Sequence, residues 1–218
     1  MSHRPLLLGH RGARRAAPEN TLRAFDLALD HGCDGFEFDI RRTADAECVV
    51  CHDARYGDME VGKSPLSALR AGGEFPRLVE LISRYASRAF LDIELKVIGM
   101  EEAVVERVAQ LGPDRYVLSS FLPDVLQRLH RLNSRLPIGL IFDRVRTLAD
   151  WHQLPIGQVI AEQSLVSRAL VNEAHAEGKQ VFVWTVNRAD AMRRLRDWEV
   201  DGIISDDTEL LGRTLRDQ

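Results

Sequence analysis

Residues 181–205, VFVWTVNRADAMRRLRDWEVDGIIS, contain a strand, a helix and a second strand in one short stretch. The apolar run Val181–Val186 predicts a buried strand, and Gly202–Ser205 predicts another. Between them, Ala191 and Leu195 lie one helical turn apart and mark the apolar face of a helix. Two strands joined through a helix in this way are typical of parallel pairing.

The same alternation repeats along the chain. Apolar runs predict eight strands, at residues 6–9, 35–39, 89–95, 116–119, 138–142, 158–161, 181–186 and 202–205. Segments with the apolar spacing of an amphipathic helix alternate with these strands. Asn20 is expected to cap the first helix, and a short helix is expected near Leu148. Eight strand–helix units predict an α/β protein with a (β/α)8 TIM barrel, and we expect residues 1–218 to form a single domain. An open doubly wound sheet is the alternative, but it seldom holds eight regular units in this length.

One long excursion separates the second and third strands. The valine-rich segment 47–51 predicts an additional strand, but it begins only a few residues after Arg42. Because a parallel crossover needs a dozen or more residues, the two segments must pair in antiparallel fashion. We therefore predict a β-hairpin over residues 40–51 that turns at residues 44–46, followed by a short helical excursion that ends before the third strand.

The composition narrows the range of partners. The formal charge is −4 and basic runs are missing, which argues against nucleic acid or an anionic membrane surface as a partner. No apolar run reaches the length of a signal-peptide core or a membrane span, so neither an export signal nor a stable membrane anchor is expected. Three cysteines cannot form a disulfide framework, and we expect a cytoplasmic protein with reduced thiols. The oligomeric state stays open.

Acidic side chains stand at the carboxyl ends of two neighbouring strands, where barrel enzymes build their active sites. Glu37 and Asp39 are two residues apart and project to one face, and Glu94 follows on the next strand. Three carboxylates in one mouth repel each other unless positive charge offsets them. Because Mg²⁺ and Ca²⁺ prefer oxygen ligands, we predict that these residues bind one divalent cation. The alternative is that they form ion pairs with nearby basic residues: Arg11, Lys96 or Arg41.

Two histidines near strand ends are the candidate acid–base pair. His10 follows the first strand, and His52 follows the rim hairpin. Histidine titrates near neutrality, so one imidazole can accept a proton while the other donates one. Arg11 and Lys96 add positive charge beside them. The guanidinium of an arginine can bind two phosphate oxygens at once, and the ammonium of a lysine acts as a point charge. A metal ion, two cations and two histidines together suit displacement at phosphorus.

Trp184 allows two interpretations. It is either a core residue or an apolar wall of the mouth for a small carbon skeleton. The sequence contains no Walker loop, G-x-G-x-x-G, H-E-x-x-H or G-x-S-x-G motif, so it supports neither a nucleotide cofactor nor a serine triad.

Taken in order, these motifs resemble the glycerophosphodiester phosphodiesterase family. The matching segments cover nearly the whole chain: residues 9–12 (GHRG), 18–21 (PENT), 37–39 (EFD), 49–53 (VVCHD), 93–96 (IELK), 184–187 (WTVN) and 201–204 (DGII). The resemblance implies a (β/α)8 barrel that uses a divalent cation to hydrolyse glycerophosphodiesters, which are deacylated phospholipids. The implied products are sn-glycerol 3-phosphate and an alcohol.

The resemblance also implies residue roles. His10 and His52 match the catalytic acid–base pair of the family, with His10 favoured as the base and His52 as the acid. The implied metal ligands are Glu37, Asp39 and Glu94. The positions that contact phosphate or glycerol are matched by Arg11, Lys96 and Trp184. Glu19 and Asn20 match the family signature, but only loop and cap support is expected of them.

Two departures from the family pattern leave part of the function open. Residues 54–74 are shorter than the inserted segment that usually follows the His-Asp pair, and residues 205–208 (SDDT) replace a Thr-Asp-x-Pro pattern. The first departure removes wall material beside the mouth, so the alcohol group is undetermined, as is the choice between Mg²⁺ and Ca²⁺. The alternative functions are a barrel phospholipase D of the sphingomyelinase D type, which forms a cyclic phosphate through the substrate's 2-hydroxyl, and a non-catalytic protein that binds glycerophosphoryl ligands.

Overall fold

Eight parallel strands close into a barrel in the computed structural model, which describes residues 4–144 and 151–216. In chain order the strands are β1 (Leu6–His10), β2 (Gly35–Arg42), β3 (Cys48–Val50), β4 (Arg55–Tyr56), β5 (Met59–Glu60), β6 (Phe90–Leu95), β7 (Tyr116–Ser120), β8 (Ile138–Phe142), β9 (Gln158–Glu162), β10 (Gln180–Trp184) and β11 (Gly202–Ser205). All but β3, β4 and β5 belong to the barrel. Its ring closes because β1 pairs with β2 on one side and with β11 on the other. The predicted (β/α)8 barrel is therefore confirmed; the helix predicted near Leu148 lies outside the described residues.

Helices cover the outer face of the barrel. They are α1 (Leu22–Asp30), α2 (Leu66–Arg70), α3 (Leu78–Tyr85), α4 (Glu101–Val108), α5 (Pro123–Leu132), α6 (Arg168–Ala176), α7 (Ala189–Asp197) and α8 (Thr208–Leu215). Their apolar stripes pack on outward-facing strand residues; Phe25 of α1, for example, stacks on Phe36 of β2 with ring centroids 4.3 Å apart. Among the described residues, no helix combines the length and the apolar character that a bilayer crossing requires.

The inside of the barrel holds a separate apolar layer. Strand alternation turns every second residue inward. The buried members of this layer are Leu8, Val117, Ile141, Ile160, Phe182 and Ile204. The next inward residue on each strand, two positions towards its carboxyl end, therefore lies nearer the barrel mouth. This apolar layer forms the floor beneath the mouth.

The excursion after β2 contains the predicted hairpin. β3 pairs in antiparallel fashion with the end of β2, with Ile40 opposite Val50. Ala46 supplies a φ of 65° in the turn, where the backbone N–H of Thr43 donates to the carbonyl of Glu47 at 3.0 Å. The hairpin carries the segment after β3 to the rim of the barrel mouth.

The start of α1 differs from the prediction. Thr21, and not Asn20, is the N-cap, because its hydroxyl accepts a hydrogen bond from the N–H of Ala24 at 3.2 Å. Asn20 has a φ of 60°, which asparagine tolerates better than most residues. Its side chain turns to the barrel, where Nδ2 donates to Oδ2 of Asp39 at 2.9 Å. Two adjacent residues that both favour cap positions are not distinguished by local sequence alone.

Candidate active site

The predicted site residues surround one cavity at the carboxyl ends of the strands. The cavity has a water-accessible volume of about 90 Å³, and every predicted site residue except Asp39 lines it: His10, Arg11, Glu37, His52, Glu94, Lys96 and Trp184. Asp39 contacts both Arg11 and Lys96. The fold therefore brings together all of these side chains, although they come from distant segments of the chain.

Glu37, Asp39 and Glu94 form the acidic centre of the cavity. Each offers one carboxylate oxygen, and these oxygens lie within 4.8 Å of one another. Strand pairing explains the convergence, because Asp39 of β2 is opposite Glu94 of β6 and Glu37 precedes Asp39 by two residues. Oε1 of Glu37 is buried and accepts no hydrogen bond from any described residue, whereas the buried Oδ1 of Asp39 contacts Lys96. A buried carboxylate oxygen without a hydrogen bond, grouped with two further carboxylates, fits a hard divalent cation.

Two basic side chains contact this acidic centre. Nζ of Lys96 lies 2.7 Å from Oε1 of Glu94 and 3.2 Å from Oδ1 of Asp39. Nε of Arg11 lies 3.2 Å from Oδ2 of Asp39. Glu37 accepts a hydrogen bond from the backbone N–H of Arg11 at 2.9 Å. Both the predicted cluster and the alternative ion pairs are thus present, but ionisation of all three carboxyls would leave one negative charge in excess among these five side chains.

Crowding shifts the pKa values of the three carboxyls in different directions. Burial, with Asp39 and Glu94 close by, raises the pKa of Glu37 well above its usual range. Burial and the charge of Asp39 raise the pKa of Glu94 to about 7. Burial acts on Asp39 in the same direction, but Lys96 and Arg11 outweigh it and lower the pKa of that carboxyl. Asp39 is therefore the most readily ionised member, and the other two need additional positive charge to ionise fully.

His10 is held in place by a second carboxylate. Its Nδ1 lies 2.7 Å from Oδ1 of Asp206, and the other oxygen of Asp206 accepts a hydrogen bond from Nδ2 of Asn187 at 2.8 Å. Burial raises the pKa of Asp206, but the bonds from His10 and Asn187 outweigh it and lower that pKa to about 2. An ionised Asp206 accepts a hydrogen bond from Nδ1–H of His10, which leaves Nε2, 3.9 Å from Oε2 of Glu37, as the free ring nitrogen.

His52 borders the cavity from the segment after β3. Its Nδ1 lies 2.8 Å from Oδ1 of Asp53. Nε of Arg41 donates to the backbone oxygen of His52 at 2.8 Å, so this arginine fixes the segment instead of neutralising the acidic centre. Burial and the nearby cations lower the pKa of His52, although Asp39 opposes this shift.

One wall of the cavity is apolar. Its members are Phe121, Ile141, Ile160, Trp184 and Ile204. Trp184 is half-buried, its ring meets Phe121 edge-on at 5.6 Å, and its Nε1 donates to the carbonyl of Ile160 at 3.3 Å. This position favours the wall interpretation of Trp184 over the core interpretation.

Several polar residues contact the site without having been given a role from the sequence. Glu19 pairs with Arg11 at 2.8 Å and with Arg14 at 2.7 Å, and Asn20 donates to Asp39. The expectation of only loop and cap support for Glu19 and Asn20 was therefore too narrow. Glu19 and Asn20 lie in the loop before α1, and no local sequence pattern links this loop to Asp39 on β2.

Asp92 is a further residue of the site, and its sequence context led to no predicted role. It is fully buried on β6 and lines the cavity. Burial raises the pKa of Asp92 to about 7, although a hydrogen bond from Ser119 opposes this shift. The period-two spacing that links Glu94 to Lys96 also links Asp92 to Glu94, and it is the signal that would have identified this residue.

Comparison with known proteins identifies similar chains. A model of the glycerophosphoryl diester phosphodiesterase family matches residues 10–73 and 84–210. A glycerophosphodiester phosphodiesterase of Caldanaerobacter subterraneus subsp. tengcongensis is 29% identical over an alignment of 238 positions, gaps included. The alignment covers 97% of this chain and 98% of that protein.

Two solved structures share the fold. A glycerophosphodiester phosphodiesterase of Thermotoga maritima superposes with a TM-score of 0.86 at 24% identity, over 98% of this chain and 99% of that one. A phosphodiesterase of Oleispira antarctica, in complex with the product sn-glycerol-3-phosphate, superposes with a TM-score of 0.85 at 24% identity, over 98% and 97% of the two chains.

Proposed function

The chain belongs to the glycerophosphoryl diester phosphodiesterase family and is a phosphoric diester hydrolase, and we propose that it hydrolyses glycerophosphodiesters to sn-glycerol 3-phosphate and an alcohol. The observation that carries this proposal is the convergence of Glu37, Asp39 and Glu94 at one cavity bordered by His10 and His52. The Oleispira antarctica phosphodiesterase, which has the same fold, was solved with sn-glycerol-3-phosphate, and this supports the same product here.

Glu37, Asp39 and Glu94 would hold one divalent cation, Mg²⁺ or Ca²⁺. Support comes from their all-oxygen donor set, the unpaired buried oxygen of Glu37 and the raised pKa values of Glu37 and Glu94, which indicate that these carboxyls need further positive charge to ionise. When bound, such an ion supplies positive charge that offsets the charge developing on the phosphate oxygens.

Proton transfer is assigned to the two histidines. Nε2 of His10 accepts the proton of the attacking water, because Asp206 already engages Nδ1. As the bond between phosphorus and the leaving oxygen breaks, His52 donates a proton to the departing alcohol. The imidazolium formed on His10 is stabilised by the carboxylate of Asp206, which stays ionised.

Three other residues position the substrate in this proposal. Arg11 and Lys96 provide fixed positive charge beside the phosphate, since their carboxylate neighbours outweigh burial and raise the pKa values of both groups above their usual range. Trp184 provides an apolar surface for the carbon atoms of the glycerol moiety. The cytoplasm is the compartment that we propose, where the three free thiols would stay reduced.

The test is release of sn-glycerol 3-phosphate from glycerophosphocholine by protein treated with EDTA, before and after addition of Mg²⁺ or Ca²⁺. We expect activity to depend on the added ion and to be lost in His10→Ala. The variant His130→Ala, which changes a histidine on α5 outside the cavity, is the matched control and should keep its activity.

Two other outcomes would redirect the proposal. A cyclic phosphate that persists in a ³¹P NMR time course would indicate attack by the substrate's 2-hydroxyl, as in the sphingomyelinase D type of barrel. Binding of glycerophosphodiesters without turnover, with every ion supplied, would indicate a non-catalytic binding protein.

A further inference from the structure

Asp92 carries a carboxyl group that the proposed reaction does not use. It lies two residues before Glu94 on β6, a separation of roughly 6–7 Å along a strand, so it sits deeper in the barrel than Glu94 and opposite Glu37 of β2. Its register partner on β7 is Val117, a member of the apolar interior layer. Asp92 thus lies between the acidic centre and the apolar floor, and the cavity reaches it.

One oxygen of this carboxyl is anchored and the other is unpaired. The hydroxyl of Ser119 donates to Oδ1 of Asp92 at 2.5 Å, which fixes the orientation of the group. Oδ2 is buried and has no hydrogen-bond partner within residues 4–144 and 151–216. A buried carboxyl oxygen without a partner is destabilising, so a ligand that supplies a donor there gains affinity. A hydroxyl suits this position because it both donates and accepts hydrogen bonds.

The rest of the cavity determines which hydroxyl reaches Asp92. The positive charges of Arg11 and Lys96 lie at the polar wall and attract the phosphate. The apolar wall that runs from Trp184 to Ile204 suits carbon atoms. In a glycerol 3-phosphoryl group, the C1 hydroxyl is the group farthest from phosphorus, and a phosphate held at the mouth directs it to the floor.

We propose that Asp92 binds the C1 hydroxyl of the glycerol moiety and thereby restricts the enzyme to substrates in which this hydroxyl is free. The inference rests on the proposed function, since it takes the glycerol end as the part that enters the barrel. An acyl ester at C1 has no hydroxyl to donate, and its chain would meet the packed, buried residues of the interior layer. Lysophospholipids acylated at C1 are therefore expected to be excluded.

The test compares two ligands that differ only in this hydroxyl. Isothermal titration calorimetry, with saturating Mg²⁺ or Ca²⁺, measures the affinity for sn-glycerol 3-phosphate and for its 1-deoxy analogue, a propane-1,2-diol phosphate that retains the 2-hydroxyl. We expect the wild type to prefer sn-glycerol 3-phosphate at least about tenfold. Asp92→Leu should bind the two ligands equally, and Asp92→Asn, which retains hydrogen-bonding groups, should keep part of the preference.

The comparison separates this inference from the proposed function. Equal affinity of the wild type for the two ligands, or an undiminished preference in Asp92→Leu, would overturn the role of Asp92. The wild-type comparison needs no variant and so does not depend on how Asp92→Leu folds. If the wild type hydrolyses no glycerophosphodiester but the preference depends on Asp92 as expected, the proposed function fails while the recognition role stands.

Discussion

Nδ1 of His10 lies 2.7 Å from Oδ1 of Asp206, although the two residues are 196 positions apart in the sequence. Closure of the barrel brings them together, because β1 pairs with β11 with Gly9 opposite Ser205. Asn187 holds Asp206 from the other side, accepting a hydrogen bond from its backbone N–H at 2.9 Å and donating to its carboxylate at 2.8 Å. The first and last strands therefore fix the ring orientation of the proposed base.

This relationship predicts that Asp206→Asn lowers kcat with little change in KM. An amide no longer favours the Nδ1–H tautomer of His10, so Nε2 is less available to accept a proton, and we expect a loss of about 10²- to 10⁴-fold. The matched control is Asp207→Asn, because Asp207 caps α8 through Leu210 and asparagine is also a good cap. Equal kcat values for the two variants would show that Asp206 does not act through His10.

The acidic centre predicts how stability depends on pH when no metal is bound. Glu37 and Glu94 have an ordinary pKa of 4.5, and in the folded protein Glu94 has a pKa of about 7 and that of Glu37 is also raised. The folded state therefore binds more protons than the unfolded state between these values, and the free energy of unfolding falls as the pH rises through this window. We expect Tm in EDTA to be roughly 5 °C lower at pH 8 than at pH 5.5.

Added Mg²⁺ or Ca²⁺ should reverse the loss of stability at pH 8, because the ion favours the ionised carboxylates. The control is Glu37→Gln, which removes one of the crowded charges and should flatten the dependence of Tm on pH in EDTA. A metal-free wild type that is more stable at pH 8 than at pH 5.5, measured by differential scanning fluorimetry, would contradict the assigned pKa directions.

Asn20 is predicted to support metal binding through Asp39. Its side chain donates to Asp39 from a backbone with positive φ, so Asn20→Ala loses the hydrogen bond and also strains the backbone by about 1 kcal/mol. Asn20→Gly removes the same hydrogen bond but accepts the backbone conformation. We expect both variants to bind the cation roughly tenfold more weakly and only Asn20→Ala to be strongly destabilised. Wild-type cation affinity in Asn20→Gly would refute the supporting role.

Gly35 is predicted to be required for the pairing of β2 with β6, which aligns the acidic residues. A Cβ atom added to Gly35 would lie 1.9 Å from the carbonyl oxygen of Phe90, so Gly35→Ala must push the two strands apart. We expect a loss of about 3 kcal/mol in the free energy of unfolding, measured with urea. Gly157→Ala is the control, because an added Cβ there meets no described atom within 4 Å. Similar urea midpoints for the two variants would contradict this packing.

The fold and the acidic centre were predictable because they depend on short-range periodicity. The spacing of Glu37 and Asp39 on one strand, with Glu94 on the next, places three carboxylates on one face as soon as the strands are parallel. The same rule applies to Asp92, for which no role was predicted. In a barrel strand, inward polar residues below the mouth are as informative as those at its end.

Other contacts had no local signal. The bond between His10 and Asp206 arises only when the ring of strands closes, and the bond from Asn20 to Asp39 joins a loop to an adjacent strand. The choice of Thr21 over Asn20 as the cap of α1 follows from the same contact, since Asn20 adopts a positive φ and turns its side chain to Asp39. Tertiary packing therefore decides between two residues with similar cap preference.

The central claim is that Glu37, Asp39 and Glu94 together bind one divalent cation. Calorimetric titration of EDTA-stripped protein with Mg²⁺ and with Ca²⁺ tests it most directly. We predict one ion per chain for the wild type, and loss of binding in Asp39→Asn while Asp207→Asn binds as the wild type does. An absence of binding to either ion, or equal affinity in Asp39→Asn and the wild type, would contradict it.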